Sequence, residues 1–214
     1  MLLREPYQFI FKGYSIWLEV EQQNGDLDNA IQCAASEKSL FPIPDAHCTV
    51  LYGATHLSER EAMQCFRDKV VPLLERRGGW PSLKPKCSNS GVAFDGVDGE
   101  EMDMSWMELS FHSSEAHEAM VDSVYSCFYG GSKRGCVTTE RIGPWLPHVS
   151  IAYDSPEDTV LDEVYTAELF DRIPSLLSKS CRDVVGISLW RTEGKLWDWE
   201  CLDRVSLLPE KKAC

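Results

Sequence analysis

Two six-residue stretches of this chain are near copies of each other, 101 positions apart: His47-Cys48-Thr49-Val50-Leu51-Tyr52 and His148-Val149-Ser150-Ile151-Ala152-Tyr153. Each reads His, any residue, hydroxyl, β-branched aliphatic, any residue, Tyr, with a proline just upstream (Pro44 and Pro147). β-branched and aromatic residues favour strands, and residues i and i+2 of a strand share a face. His47 and Thr49 are therefore expected on one face, as are His148 and Ser150. Cys48, Val50, Val149 and Ile151 then turn toward the core. A duplicated strand of this kind restricts the fold to two similar halves. It also restricts the chemistry: two imidazoles let one take a proton while the other gives one, and two hydroxyls hold phosphoryl oxygens.

The tripeptide alone says little, because four of the five histidines precede a hydroxyl residue in this way. Context separates them. Ser58, after His56, is followed three residues later by Glu61, which is a capping box and predicts a helix start. Ser113-Ser114, after His112, opens another helix. His56, His112 and His117 are read as structural or surface residues. Only His47 and His148 lead into strand-forming sequence.

A net charge of −13 is unevenly spread, and no Lys or Arg occurs from Cys87 through Ser132. Tracking a long polyanion needs basic grooves, so a long nucleic acid is not expected as a partner and a small phosphorylated substrate fits better. No apolar stretch reaches the roughly 18 residues of a membrane span. The start, Met-Leu-Leu-Arg-Glu-Pro, carries charge and proline too early for a secretory signal. The nine cysteines are scattered, without metal-ligand spacing, and predict reduced thiols in a cytoplasmic or nuclear protein. No cofactor and no metal is expected, and the chain is expected to be a monomer.

Strands are predicted at Tyr14 to Val20, at the two motifs, at Leu83 to Phe94, at Trp106 to Phe111, at Val184 to Arg191 and at Trp197 to Val205. Helices are predicted from Leu27 to Lys38 after the turn Asn24-Gly25-Asp26, and from Ser58 to Arg77 with a kink at Pro72. Two more are predicted, from Ser114 to Tyr129 with Ala119, Met120, Val124 and Cys127 inward, and from Pro156 to Leu169. This order predicts an α+β protein, residues 1–214 forming one domain of two similar lobes with the motif strands lining the cleft between them.

These residues resemble the two-histidine (2H) phosphoesterase superfamily. Three further stretches are similar to its cyclic phosphodiesterase branch: Tyr14-Ser15-Ile16-Trp17-Leu18, the run from Pro147 to Tyr153, and Ile187-Ser188-Leu189-Trp190-Arg191-Thr192-Glu193-Gly194 followed by Trp197. The resemblance spans roughly residues 13 to 205. It implies two antiparallel-sheet lobes with flanking helices, related by a pseudo-twofold axis through the cleft. It implies metal-independent hydrolysis of nucleoside 2′,3′-cyclic phosphates or of ADP-ribose 1″,2″-cyclic phosphate, leaving the phosphate on the 2′-type oxygen. It also implies His47 and His148 as the catalytic pair, Thr49 and Ser150 as phosphate-binding hydroxyls, and Tyr153 as a site-lining aromatic. The chain departs from compact members by an acidic insertion from Asp95 to Asp103. The alternatives are an RNA-end-processing enzyme of the same superfamily and a nucleotide-binding module without turnover.

Among the other candidates, Tyr52 is expected in the core. Trp17, Trp145 and Trp190 are expected mostly in the core, with base stacking as the other role. Lys133, Arg134 and Arg141 are expected on a solvated loop, with closure over a phosphate as the other role.

Overall fold

The computed structural model describes residues 10–93, 104–130, 144–156 and 159–207. The acidic insertion and Lys133, Arg134 and Arg141 lie outside those residues. Seven strands form one antiparallel sheet: β1 (Tyr14–Val20), β2 (His47–Ala54), β3 (Lys84–Ala93), β4 (Met104–His112), β5 (His148–Asp154), β6 (Val184–Arg191) and β7 (Glu200–Ser206). Their spatial order is β3-β4-β5-β2-β1-β6-β7. The helices are α1 (Asp26–Lys38), α2 (Glu59–Cys65), α3 (Val71–Arg77), α4 (Glu115–Tyr129) and α5 (Glu163–Arg172).

The duplication foreseen from the motifs is present in the topology. β1-α1-β2 and β4-α4-β5 are equivalent units, extended on their outer sides by β6 and then β7 beyond β1 and by β3 beyond β4. The two antiparallel lobes meet edge to edge where β2 and β5 pair, through the single registered pair Cys48 and Val149. The helices cross beneath this seam, with α1 packed against β5 and α4 against β2. One apolar cluster fills the space between sheet and helices, including Ile16, Leu18, Val50, Leu109, Ile151, Ile187 and Leu189 from the strands.

Several local predictions hold for the physical reasons given. Asn24 and Gly25 take left-handed backbone angles in the turn before α1. Ser58 caps α2 reciprocally with Glu61, and Ser114 caps α4 through the backbone N–H of His117. The helix through Pro72 continues by a π-helical stretch, Phe66–Val70. Proline offers no N–H to the preceding turn, and a wider turn absorbs that loss.

Others differ. The inward stripe of α4 is His117, Met120, Val121, Val124 and Phe128, whereas Ala119 is exposed and Cys127 only half-buried. Met120 and Val124 face inward as expected, whereas Ala119 and Cys127 lie off the stripe that His117, Val121 and Phe128 complete. The helix expected from Pro156 starts at Glu163, because the Asp162 carboxylate accepts the Tyr165 N–H and caps it there. Trp197 lies in a 3-10 turn, Leu196–Asp198, before β7.

One buried ion pair ties the far end of the sheet together. Arg182, 0% exposed, bonds the Asp26 carboxylate at 3.1 and 2.6 Å and the carbonyls of Glu21 and Ser175 at 3.0 and 2.8 Å. Burial pushes the Asp26 carboxyl upward, but the bonds and charge of Arg182 outweigh it and hold the group below its ordinary value.

Candidate active site

Pairing Cys48 with Val149 in antiparallel register sets His47 beside Ser150 and Thr49 beside His148. All four side chains then share the face opposite the helices, related by the local twofold at the seam. The structure thus brings both predicted histidines and both predicted hydroxyls together.

The two motif strands carry the same irregularity. Between the pairs Trp17–Thr49 and Ile16–Leu51, β2 has one extra residue, Val50. Between Glu108–Ser150 and Met107–Ala152, β5 has one extra residue, Ile151. These are β-bulges, in which two residues oppose one and the strand reverses its alternation. Val50 with Leu51, and Ile151 with Ala152, are therefore all buried. The bulge returns Tyr52 and Tyr153 to the face of the histidines. This corrects the core placement expected for Tyr52, which is 40% exposed.

Both imidazoles are held alike. His47 Nδ1 lies 2.8 Å from the carbonyl of Asp45, and His148 Nδ1 lies 2.9 Å from that of Leu146. A carbonyl only accepts, so each Nδ1 carries the proton, and each Nε2 points away from its own backbone. The surroundings differ. His47 is 5% exposed and stacks on Trp17, the ring centroids 3.4 Å apart and the planes 6° from parallel. Burial pushes its pKa down to about 4, outweighing the carbonyl of Asp45, which favours the charged form. The His148 side chain is 37% exposed, and its Nδ1 stands 3.8 Å from Glu108 Oε2.

Tyr153 donates to Ser150 Oγ at 2.8 Å, which leaves the Ser150 proton free for a ligand. Burial raises the Tyr153 phenol to about 12, so it stays protonated. Thr49 is fixed through its backbone, whose carbonyl accepts from Trp145 Nε1 at 3.0 Å. Trp145 and Trp190 are buried; Trp190 stacks behind Trp17 at 4.2 Å. Thus neither tryptophan is open to a base, and Trp17 serves as the platform of His47. Phe11 packs against Tyr52, Tyr153 and Trp199 and closes one flank of the site.

Sequence reading missed two polar groups here. Glu108 lies opposite Ser150, its Oε1 accepting from Ser110 at 2.8 Å and from Asn89 at 3.3 Å. Behind His47, Arg204 bridges Glu19 and Asp45. Asp45 has a φ of 50°, in the left-handed region, which non-glycine residues seldom occupy. Its carbonyl holds His47 while its carboxylate holds Arg204. The only signal for Glu108 was the alternation of β4, which puts it on the face of Trp106 and Ser110. His56 and His117 are structural as expected, directed to the carbonyls of Phe128 and Pro81. The seven described cysteines are free thiols. Among the described residues, no helix is long and apolar enough to cross a membrane.

No family model matches the sequence, and no curated protein is significantly similar to it. Solved structures are. TT0787 of Thermus thermophilus, a protein with the two-histidine phosphoesterase fold, superposes with a TM-score of 0.53 at 13% identity, over 92% of this chain and 98% of that one. Usb1 of Kluyveromyces marxianus superposes less closely. Its structure with uridine monophosphate gives a TM-score of 0.48 at 12% identity, over 91% of this chain and 97% of that one. A second Usb1 structure gives 0.47 at 12% identity, over 91% and 96%. The first likeness bears on the fold alone, which is α+β as expected.

Proposed function

We propose that this protein, which has the two-histidine phosphoesterase fold, is a hydrolase that opens cyclic phosphates of small nucleotides by acid/base catalysis between His47 and His148. The observation that carries the reading is the registered seam, which sets two imidazoles and two hydroxyls on one face as a twofold pair. A strained cyclic phosphodiester reacts by in-line displacement: water attacks phosphorus opposite the leaving ribose oxygen. A base is needed on one side and an acid on the other.

The unequal surroundings support an assignment. His47 is held neutral by burial against Trp17, so its Nε2 lone pair accepts a proton from water. His148, open to solvent with the Glu108 carboxylate beside it, acts as the doubly protonated imidazolium: it keeps the Nδ1 proton on the Leu146 carbonyl and donates the Nε2 proton to the leaving oxygen. Thr49 and Ser150 donate to the non-bridging oxygens, where charge builds in the transition state. Two imidazoles complete both proton transfers, which supports a reaction independent of metal. The acidic composition supports a small substrate over a long RNA.

The test is ³¹P NMR of 2′,3′-cyclic AMP turnover in EDTA, with wild type and His148→Ala. The expected result is a 2′-phosphomonoester from wild type, with a rate about 10²–10⁴-fold lower in the variant. No turnover of this compound, of ADP-ribose 1″,2″-cyclic phosphate or of an RNA 3′ end, with binding retained, would refute the reading and leave a nucleotide-binding module.

A further inference from the structure

Two tiers along β4 from the seam, the same face carries an aromatic ring that neither the hydrophobic core nor the catalytic constellation uses. Trp106 alternates in phase with Glu108 and Ser110, and it is paired with Tyr153 on one side and Gly91 on the other. It is half-buried and belongs to neither buried apolar cluster. The indole lies across β3: a Cβ placed on Gly91 would stand 2.7 Å from Cζ2 of Trp106 and 3.0 Å from Cη2. A glycine at this position is what lets the ring lie so close against the strand. Trp106 is one same-face step, about 7 Å, from Glu108, which is registered against Ser150. Its paired neighbour Tyr153 bonds the Ser150 hydroxyl.

We propose that Trp106, seated on Gly91, is the platform on which the base of a nucleoside substrate stacks. The inference rests on the phosphoesterase reading above and narrows its substrate. In a nucleoside 2′,3′-cyclic phosphate the base is carried by the ribose that bears the reacting phosphate, within reach of the neighbouring tier. In ADP-ribose 1″,2″-cyclic phosphate the reacting ribose carries no base. The platform therefore favours the nucleoside compound. Because stacking uses the π-face that every base has, it tolerates base identity. The other role open to such a ring is to cover a glycine in the edge strand β3, which would act on stability and be blind to the ligand.

The experiment compares wild type, Trp106→Ala, Trp106→Phe and Gly91→Ala, each checked by circular dichroism. KM and kcat are measured on adenosine 2′,3′-cyclic phosphate and on ADP-ribose 1″,2″-cyclic phosphate. Calorimetry gives the affinity for adenosine 2′-monophosphate and for ribose phosphate. A lost stacking contact predicts a rise in KM of roughly 5- to 100-fold for the adenosine compound in Trp106→Ala, with kcat retained. The ADP-ribose compound should change less than about twofold, Trp106→Phe should recover most of the loss, and Gly91→Ala, which lifts the ring, should share it. Equal changes on both substrates, or none on either, overturn the platform. Base-dependent loss of adenosine 2′-monophosphate binding in a protein that turns over neither compound would keep the platform and overturn the hydrolase reading instead.

Discussion

Acidification to pH 4.5 should cost this protein stability through His47 in particular. The folded chain holds that imidazole neutral down to about pH 4, whereas its ordinary value is 6.5. Between those values the unfolded chain binds a proton that the folded chain refuses. Stability therefore falls as pH drops through this window and falls no further on this account below about pH 4. At roughly 1.4 kcal/mol per pH unit over the roughly two units between pH 6.5 and 4.5, the loss accumulated by pH 4.5 is on the order of 2–3 kcal/mol. His47→Gln has no such group. Urea unfolding of wild type and His47→Gln at pH 7 and pH 4.5 isolates the effect, because the carboxylates common to both cancel in the difference. Wild type should lose on the order of 2–3 kcal/mol more than the variant, and the acid limb of its kcat/KM profile should fall near pH 4. Parallel pH dependence of the two proteins, or an NMR titration of His47 near 6.5, would refute both the burial argument and the assignment of His47 as base.

Three further outcomes are expected. Tyr153→Phe removes one neutral hydrogen bond to Ser150 and should lower kcat/KM about two- to tenfold, measured by initial rates, with the melting temperature little moved. Glu108→Gln keeps partners for Ser110 and Asn89 but drops the charge beside His148; kcat should fall on the order of tenfold with KM held, and a rise in KM alone would instead mark Glu108 as a substrate contact. Asp26→Ala leaves Arg182 charged and buried, which should cost about 3–5 kcal/mol in urea unfolding while kcat/KM without denaturant stays near wild type.

The site was legible because its four polar residues lie at strand spacing inside a repeated pattern, and the flanking aromatic and aliphatic residues fix that spacing as strand. Fold class followed from the same repeat. What could not be read is what pairing decides. The bulges at Val50 and Ile151 exist only relative to β1 and β4, so strict alternation put Tyr52 on the wrong face. Trp17 as the bed of His47, and Glu108 beside His148, arise between strands distant in sequence. The late start of α5 shows the opposite failure. Asp162 was a visible cap, but Pro156, a favoured first-turn residue, drew the boundary seven residues early.

The join between Cys48 and Val149 has a mechanical consequence. Every other neighbouring pair of strands is laced by a run of registered residues, and this one by a single pair. A fabric loaded from its edges parts along its thinnest row, and here that row runs between the two imidazoles. Loosening at that row is expected to draw the two imidazoles apart while each half keeps its own weave, with α1 and α4 still crossing behind it. On the proposed reaction, activity is expected to fail at a strain too small to register in any measure of strand or helix content.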